Sequence, residues 1–279
     1  MAQTTASKVL IVIGAGGMGL PIARRLGIGR HVLLADYSTT TLNIALETLH
    51  NEGHTVSSRP VDISSYSTVA ALAQEASSLG LIDAIVHTAG VAPGVSTARQ
   101  IFEIDLLGTA NIIDAFLPVV SPGTSMVCIA SMAGSMIPVP PDLEHHLATA
   151  QRDQLLEHKD INVEAQGEGA GMAYAVAKRG NQLRVQAAAV AYGRKGARIN
   201  SVSPGIISTG LGQTQLSGPG GDLTRGMIDM SARRRIGTPE DIANAVAFLV
   251  SRESDFITGV DLLVDGGAVA GRKWTAADV

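Results

Sequence analysis

The chain has 279 residues, of which 46% are hydrophobic, 16% are charged and only 3% are aromatic. This length suits one large α/β domain, and a core of Val, Ile, Leu and Ala suits a parallel sheet covered by helices. The formal charge of −4 gives no electrostatic case for binding nucleic acid or an anionic membrane. Cys128 is the single cysteine, which excludes a disulfide framework and a cysteine metal site. The polar segment Met1–Lys8 precedes a short apolar run, so we expect no signal peptide, no membrane span and a cytoplasmic location.

A glycine-rich turn follows the first predicted strand. Val9–Ile13 is a continuous apolar run, which is typical of a strand buried on both faces. The run Gly14–Gly19 comes next and a helical pattern follows it, which is the strand–turn–helix order that a dinucleotide-binding turn requires. Gly14 permits the tight turn, Gly16 lets a pyrophosphate approach the backbone, and Gly19 lets helix and strand pack closely. The alternative is a glycine-rich turn that binds no ligand.

An acidic residue ends the second predicted strand, His31–Ala35. Asp36 stands where a carboxylate would accept hydrogen bonds from both ribose hydroxyls and repel a 2′-phosphate, so NAD is predicted over NADP. Tyr37 and Ser38 follow it, and no Arg or Lys does. The alternative is that Asp36 caps the next helix.

Strands and helices continue to alternate along the chain. The remaining predicted strands are His54–Arg59, Ile82–His87, Thr124–Ala130, Arg198–Ser201 and Val260–Val264. The predicted helices after the first are Thr39–Leu49, Tyr66–Ser77 with Ser64 as its cap, Thr97–Phe116, Met172–Ala191 and Asp241–Val250. This order predicts an α/β fold with a single domain over residues 1–279, of the doubly wound Rossmann type, with a seven-stranded parallel sheet and helices on both faces.

Two segments interrupt this alternation. Residues 135–171 contain three early prolines and a stretch with helical character, Asp142–His158, whose leucines 143, 147, 155 and 156 are candidates for the core. Residues 208–228 are rich in Gly, Ser and Thr and are predicted to form a mobile loop. Both leave from the carboxyl edge of the sheet, where open α/β sheets bind ligands, so they are two candidate walls of a substrate pocket.

Other strand ends supply further candidates for cofactor binding. Asp62 lies at a strand's carboxyl end, where an adenine amino group would be. The small residues of Thr88-Ala89-Gly90 suit a backbone that passes close under a cofactor.

Tyr174 and Lys178 are spaced to share one face of a helix, about one turn apart. A phenol ionises near pH 10, and a neighbouring cation favours the phenolate, so such a pair could act as a general acid/base. The alternative is a chance pair on a solvated helix face.

Taken in order, these motifs resemble the short-chain dehydrogenase/reductase family over nearly the whole chain. The matching residues are Gly14–Gly19, Asp36, Asp62-Ile63, His87–Gly90, Ser131, Tyr174, Lys178, Pro204-Gly205 and Val264–Gly267. The resemblance implies hydride transfer between a nicotinamide and a carbon that bears oxygen. It implies that Tyr174 moves a proton to or from the substrate oxygen, that Lys178 favours the phenolate and holds the nicotinamide ribose, and that Ser131 stabilises the charge on the substrate oxygen.

The resemblance also implies a set of cofactor-binding residues. They are Gly14, Gly16, Gly17, Met18, Gly19, Asp36, Tyr37, Asp62, Ile63, Thr88, Ala89, Gly90, Tyr174, Lys178, Pro204, Gly205, Ile207 and Thr209. Among them, the segment Pro204–Ile207 would orient the nicotinamide amide, and Thr209 would reach it.

Three features depart from the family pattern. The glycine turn is one residue shorter than usual, with Ile13 in place of a threonine. Asp105 stands where the family has a helix asparagine whose backbone carbonyl holds a water of a proton relay. A carboxylate there brings negative charge towards Lys178, so we expect it to raise the pH optimum of oxidation. Ser131 and Tyr174 are 43 residues apart, which is farther than is usual in the family.

A long insertion at this place, together with Asp114–Pro118, is similar to the bacterial 3α-hydroxysteroid dehydrogenase/carbonyl reductases. This implies a hydrophobic substrate, a steroid-like or aryl ketone or secondary alcohol. The family pairs the helices of the asparagine and the tyrosine in its tetramers, and the insertion could cover them. We therefore expect a homo-oligomer, with the dimer favoured over the tetramer.

Three other classes of protein are less consistent with these motifs. The alternative function is a catalytically silent protein that senses NAD on the same scaffold. A sugar-nucleotide epimerase is disfavoured because no second domain is expected after the seventh strand, and a purely structural protein would not explain the motifs. His145, His146 and His158 lack the spacing of a metal site, so no metal is predicted.

Overall fold

The sheet of this protein has its strand order reversed at one point. The computed structural model describes residues 7–218 and 221–274, except for the side chains of residues 168, 211 and 215. The strands are β1 Lys8–Ile13, β2 His31–Asp36, β3 Thr55–Pro60, β4 Leu81–His87, β5 Ser125–Ile129, β6 Arg198–Pro204 and β7 Asp261–Val264. All pair in parallel in the order β3-β2-β1-β4-β5-β6-β7. The reversal between β1 and β4 opens a crevice at their carboxyl ends.

Helices cover both faces of the sheet. They are α1 Gly19–Leu26, α2 Thr39–Asn51, α3 Tyr66–Leu79, α4 Ala98–Ile101, α5 Gly108–Phe116, α6 Pro141–Thr149, α7 Glu168–Gly193, α8 Gly210–Ser217, α9 Gly221–Met230, α10 Pro239–Val250 and α11 Ala268–Trp274. One buried cluster packs α3, α5 and α7 on one face, and a second packs α1, α2 and α10 on the other. The predicted Rossmann-type single domain with a seven-stranded parallel sheet is confirmed. Within the described residues, no helix is long and apolar enough to cross a membrane.

The predicted helix Thr97–Phe116 is continuous but not uniform. Between α4 and α5 the chain forms a π-helix, Phe102–Leu107, which contains Asp105. The predicted cap of α3 is wrong by one residue, because Ser65 occupies that position and Ser64 instead donates its hydroxyl to Asp62.

The insertion folds onto the outer side of α4, the π-helix and α7. Leu143, Leu147, Leu155 and Ile161 are buried there in a third apolar cluster with Leu106, and Leu156 packs against it. The predicted helix Asp142–His158 is wrong in its second half, since α6 ends at Thr149 and turns follow. Ala150 is extended (ψ 144°), and its carbonyl is taken by a side chain from α7 rather than by a further helical turn.

Arginine side chains fasten this insertion to the core. Arg184 of α7 is 8% exposed and donates to the carbonyls of Leu147 and Ala150 at 3.1 Å each. Arg152 pairs with Asp114 of α5 at 2.8 Å. The insertion is therefore an integral layer of the domain.

The segment 208–228 contains α8 and α9, so the prediction of a loop is wrong for most of it. Thr209 accepts a hydrogen bond from the amide of Gly212, which caps α8 and offsets the poor helix propensity of its glycines. Residues 219–220, and the ends of the chain at 1–6 and 275–279, lie outside the described residues.

Candidate active site

The crevice between β1 and β4 is lined by the glycine turn and by Thr88–Gly90. The amides of Thr88 and Ala89 donate to the Ile13 carbonyl at 2.7 and 2.9 Å, and the Thr88 hydroxyl donates to the Gly14 carbonyl at 2.7 Å. Gly14 has a φ of +98°, and a side chain there would collide with Ala89. The two segments thus form one tightly packed floor.

The glycine turn fits a bound pyrophosphate. A Cβ placed on Gly16 would find nothing within 4 Å in the described part of the chain, so its backbone faces open space. The first turn of α1 begins after Met18 and has no side-chain cap among the residues described. A helix N-terminus with free N–H groups beside open space is suited to an anionic phosphate.

Asp36 lies against this turn. One of its carboxylate oxygens accepts from the amide of Ala15 and the other from the amide of Ser38, both at 2.8 Å. Ser38, not Asp36, caps α2 by accepting from the amide of Thr41. The alternative that Asp36 is the helix cap is therefore wrong, and its charge is fixed beside the glycine turn. Tyr37 is 80% exposed next to it.

Asp62 and Ile63 follow β3 and are held in place by α5. Asn111 donates to the Ile63 carbonyl at 2.9 Å, and the Ile63 side chain is buried against Gly108. Asp62 accepts from the amide and hydroxyl of Ser64 through a single oxygen. The Ile63 side chain is thus packed against α5, and the Asp62 carboxylate is oriented by Ser64.

The segment after β6 crosses towards the glycine turn. Gly205 packs against the backbone of Asp265, and Ile207 is buried against Gly237. Thr209 lies so close to Gly17 that a Cβ on that glycine would be 2.9 Å from the Thr209 Cβ. Of the predicted residues Pro204, Gly205, Ile207 and Thr209, Thr209 thus reaches the glycine turn itself.

The acid/base pair lies on α7. The Lys178 ammonium is 5.4 Å from the centre of the Tyr174 ring, and Lys178 is only 5% exposed while Tyr174 is half-buried. A lysine this deeply buried requires a partner for its charge. That partner is Asp105.

Asp105 is fully buried and joins two parts of the site. Its Oδ1 accepts from the amide of Val91 at 2.8 Å, and its Oδ2 is 3.6 Å from the Lys178 ammonium, slightly beyond hydrogen-bond distance. Gly90 makes this possible, because a Cβ there would be 2.7 Å from Asp105 Oδ1 and 3.2 Å from Lys178 Nζ. The backbone carbonyl of Asp105 accepts from the Thr109 hydroxyl at 2.7 Å.

Burial and mutual attraction oppose each other in this pair. Burial raises the pKa of the Asp105 carboxyl above its usual value, although the Lys178 charge works against the rise. Burial alone would lower the pKa of Lys178, but the charges of Asp105 and Tyr174 outweigh it and the pKa is raised. Lys178 therefore stays protonated well above neutral pH.

Ser131 begins a short 3₁₀ turn, Met132–Ser135, that packs on α7. A Cβ on Gly134 would be 2.7 Å from the Arg179 nitrogen and 2.8 Å from the Lys178 carbonyl carbon, so the turn touches the helix backbone itself. The Ser131 Oγ accepts from the amide of Ala133 at 3.2 Å. The hydroxyl hydrogen of Ser131 is not used in this contact and can be donated to another acceptor.

The structure adds buried polar residues that the sequence reasoning missed. Gln182 and Asn181 of α7 are each 1% exposed, and the amide group of Asn181 has no hydrogen-bond partner among the described residues. His87, which belongs to the predicted motif His87–Gly90, faces α5 and lies 3.0 Å from the Thr109 hydroxyl, and burial followed by the Lys178 charge lowers its pKa to about 3. A polar pair shortly after Lys178, within an apolar helical pattern, is the signal that was available.

The insertion carries a small surface cluster. Ligand atoms of Asp142, His158 and Asp160 lie within 4.8 Å of one another, but Asp142 and Asp160 are exposed, and Asp142 also pairs with Lys159 at 3.2 Å. The two carboxylates are therefore solvated, and one of them is already paired with a lysine.

Similarity to known proteins identifies the family. A profile described as short chain dehydrogenase matches residues 8–140, and one described as Enoyl-(Acyl carrier protein) reductase matches residues 160–269. The short-chain dehydrogenase/reductase bsc3 of Alternaria brassicicola is 37% identical over 272 residues, which are 97% of this chain and 97% of that protein. The chain belongs to the short-chain dehydrogenase/reductase family, whose members are oxidoreductases acting on CH–OH groups.

One further relative and one solved structure are also similar to the chain. The 3-alpha-hydroxysteroid dehydrogenase/carbonyl reductase of Comamonas testosteroni is 28% identical over 191 residues, covering 67% of this chain and 72% of that protein. A solved structure described as gox2181 is 25% identical and superimposes with a TM-score of 0.74 over 95% of this chain and 96% of that one. The predicted family resemblance is confirmed.

Proposed function

We propose that this protein interconverts a secondary alcohol and a ketone with NAD(H), using Tyr174 as the general acid/base. The observation that carries the proposal is the packing of the Ser131 turn directly on α7 at Lys178. This contact supports a common site for the Ser131 hydroxyl, the Tyr174 phenol and the buried Lys178 ammonium, because the turn that Ser131 begins packs on the helix that carries the other two. When bound, a nicotinamide cofactor supplies or accepts the hydride.

Each of the three side chains has a distinct task. Tyr174 gives a proton to the substrate oxygen in reduction and takes one from it in oxidation. Ser131 donates to the same oxygen, which is supported by the engagement of its own oxygen with the amide of Ala133. Lys178 favours the phenolate and holds the hydroxyls of the cofactor ribose.

The preference for NAD over NADP rests on Asp36. Its carboxylate is held beside the glycine turn by the amide of Ala15, and a fixed negative charge there would repel a 2′-phosphate. Fluorescence titration is expected to show tighter binding of NADH than of NADPH. Tighter binding of NADPH would contradict this assignment.

A hydrophobic substrate, steroid-like or aryl, is supported by the surroundings of Tyr174. Val91, Ile137, Val139 and Tyr174 are all partly buried against the third apolar cluster. We further propose that the insertion 135–171 supplies this apolar wall, that residues 208–228 supply the facing one, and that the enzyme is a cytoplasmic homo-oligomer.

A turnover screen tests the function. The purified protein is incubated with NAD or NADH and a panel of steroids, aryl ketones, sugars and hydroxyacyl esters. Turnover is expected with a hydrophobic carbonyl or alcohol and is expected to disappear in Tyr174→Phe while cofactor binding persists. Cofactor binding without any turnover would favour the alternative, a protein that senses NAD.

A further inference from the structure

Gln182 lies on the catalytic helix, about two turns beyond Tyr174 and one turn beyond Lys178. It is 1% exposed, so the polar atoms of its amide are removed from water and require partners. It has partners on its own helix and on two other elements.

The amide nitrogen of Gln182 faces three oxygens. Its Nε2 lies 2.9 Å from the Ser203 hydroxyl, 3.2 Å from the Ser135 hydroxyl and 3.3 Å from the Ser131 carbonyl. One amide therefore contacts both ends of the 3₁₀ turn that begins at Ser131 and the end of β6, one residue before Pro204.

The charges at both ends of this network fix which way the amide points. The Gln182 Oε1 accepts from the Arg179 guanidinium at 3.2 Å, and Arg179 is itself paired with Glu144 of the insertion. Ser203 donates its hydroxyl hydrogen to Asp261 at 2.9 Å, so a lone pair of Ser203 faces Gln182. Only the orientation with the NH₂ group towards the serines satisfies all of these groups.

We propose that Gln182 is a positioning residue that holds the Ser131 turn and the end of β6 at fixed places against the helix of Tyr174 and Lys178. This inference rests on the proposed function of the site. Gln182 touches neither substrate nor cofactor and acts through Ser131 and Ser203. Without it, the Ser131 carbonyl would keep its bond from the Gly134 amide as its single bond within the described part of the chain, and the turn would lose its polar link to α7 there.

Hydrogen exchange measured by mass spectrometry tests the positioning without any turnover. Gln182→Met keeps the side-chain volume and removes the amide, and Gln186→Met is the matched control, because Gln186 is exposed one turn later on the same helix. We expect faster exchange in the segment 130–136 of Gln182→Met alone. Unchanged exchange in that segment would overturn the proposal. If Gln182→Met does not fold, Gln182→Glu decides by the same criterion, since it keeps the length but has no N–H.

A double-mutant cycle with Ser131→Ala tests the catalytic consequence, using the panel compound that the wild type turns over fastest. We expect Gln182→Met to lower kcat/KM about 10- to 100-fold, mainly through kcat, with the affinity for NADH retained. In the Ser131→Ala background the same change is expected to cost less than about 3-fold. Fully additive losses, or wild-type activity in Gln182→Met, would refute the role. If the wild type turns over no compound, the proposed function fails, and the exchange experiment alone decides this inference.

Discussion

Asp105 weakens the electrostatic effect of the Lys178 charge on Tyr174. Both groups are buried, and at 3.6 Å their opposite charges largely cancel for a third group nearby. A lysine that would strongly favour a phenolate therefore favours it less when a carboxylate is its partner. Asp105 is therefore expected to weaken the electrostatic support that Lys178 gives to a developing phenolate.

Replacing Asp105 by asparagine is expected to shift the pH dependence of oxidation. Oxidation needs the phenolate, so its rate rises with pH through that ionisation. Without the carboxylate, Lys178 stabilises the phenolate more strongly, and the rising limb of kcat/KM should move about one unit towards acid. The control is Glu103→Gln, which removes a carboxylate from the same π-helix. The Glu103 side chain is 39% exposed and faces Arg99. An unchanged pH dependence of kcat/KM in Asp105→Asn would contradict this prediction.

Gly16 allows cofactor affinity to be separated from folding. A methyl group at this position meets no atom of the described residues, but it enters the space proposed for the pyrophosphate. Gly16→Ala is therefore expected to raise the Kd for NADH at least about 10-fold, with no change in Tm. Gly193→Ala, where a methyl group is also unobstructed but lies at the far end of α7, should leave both quantities unchanged. Equal affinity in the two variants would show that nothing binds close to Gly16.

At the scale of elements, the insertion depends on α7 for more than apolar contact. The last carbonyls of α6 are partnered by the Arg184 guanidinium, whose pKa burial lowers. A helix end buried without partners for its carbonyls is unfavourable. Arg184 thus lets α6 stop at Thr149 and lets the following turns fold back over the core.

Arg184→Met should consequently destabilise the insertion before the rest of the domain. We expect a loss of about 2 kcal/mol in the free energy of unfolding, measured with denaturant, because buried carbonyls lose a charged donor. Limited proteolysis should cut faster within residues 150–167. Arg194→Met, an exposed residue just after α7, is the control and should behave as wild type. Equal proteolysis of the two variants would contradict the tethering role.

At the scale of the whole molecule, the third apolar cluster already covers the outer side of α4, the π-helix and α7. The predicted subunit contact would then use another surface. The free edge of the sheet at β7 is a candidate, because Phe256 is fully exposed and Phe248 and Leu263 are about two-fifths exposed beside it.

Light scattering is expected to give a dimer, with twice the chain mass of 28.8 kDa. Phe256→Asp should weaken that dimer, since it places a charge in an apolar contact. The control is Ile28→Asp. Ile28 is 79% exposed and lies just before β2, away from β7, so this change should not affect assembly. A monomeric wild type would refute the predicted assembly.

The fold and the cofactor crevice were predictable because they depend on local patterns. Apolar runs, the glycine turn and the order of the motifs determine the sheet and place Tyr174, Lys178 and Ser131 at its edge. The second half of the predicted helix Asp142–His158 failed because Arg184, distant in sequence, takes the carbonyls that a longer helix would use. Gln182 was missed for the same reason, since its three acceptors come from two other elements and meet only in the folded chain.

The position of Asp105 depends on the number of residues in the π-helix Phe102–Leu107. A π-helix holds an extra residue compared with an α-helix of the same rise, so its residues are displaced around the axis. Deleting one residue from this stretch would let it relax to α geometry with α5 kept in phase with α4, but the residues inside the stretch, Asp105 among them, would move around the helix axis. Asp105 could then not reach both Val91 and Lys178 even though no side chain of the pair had changed. The site is thus specified by the number of residues in this helix as much as by their chemistry.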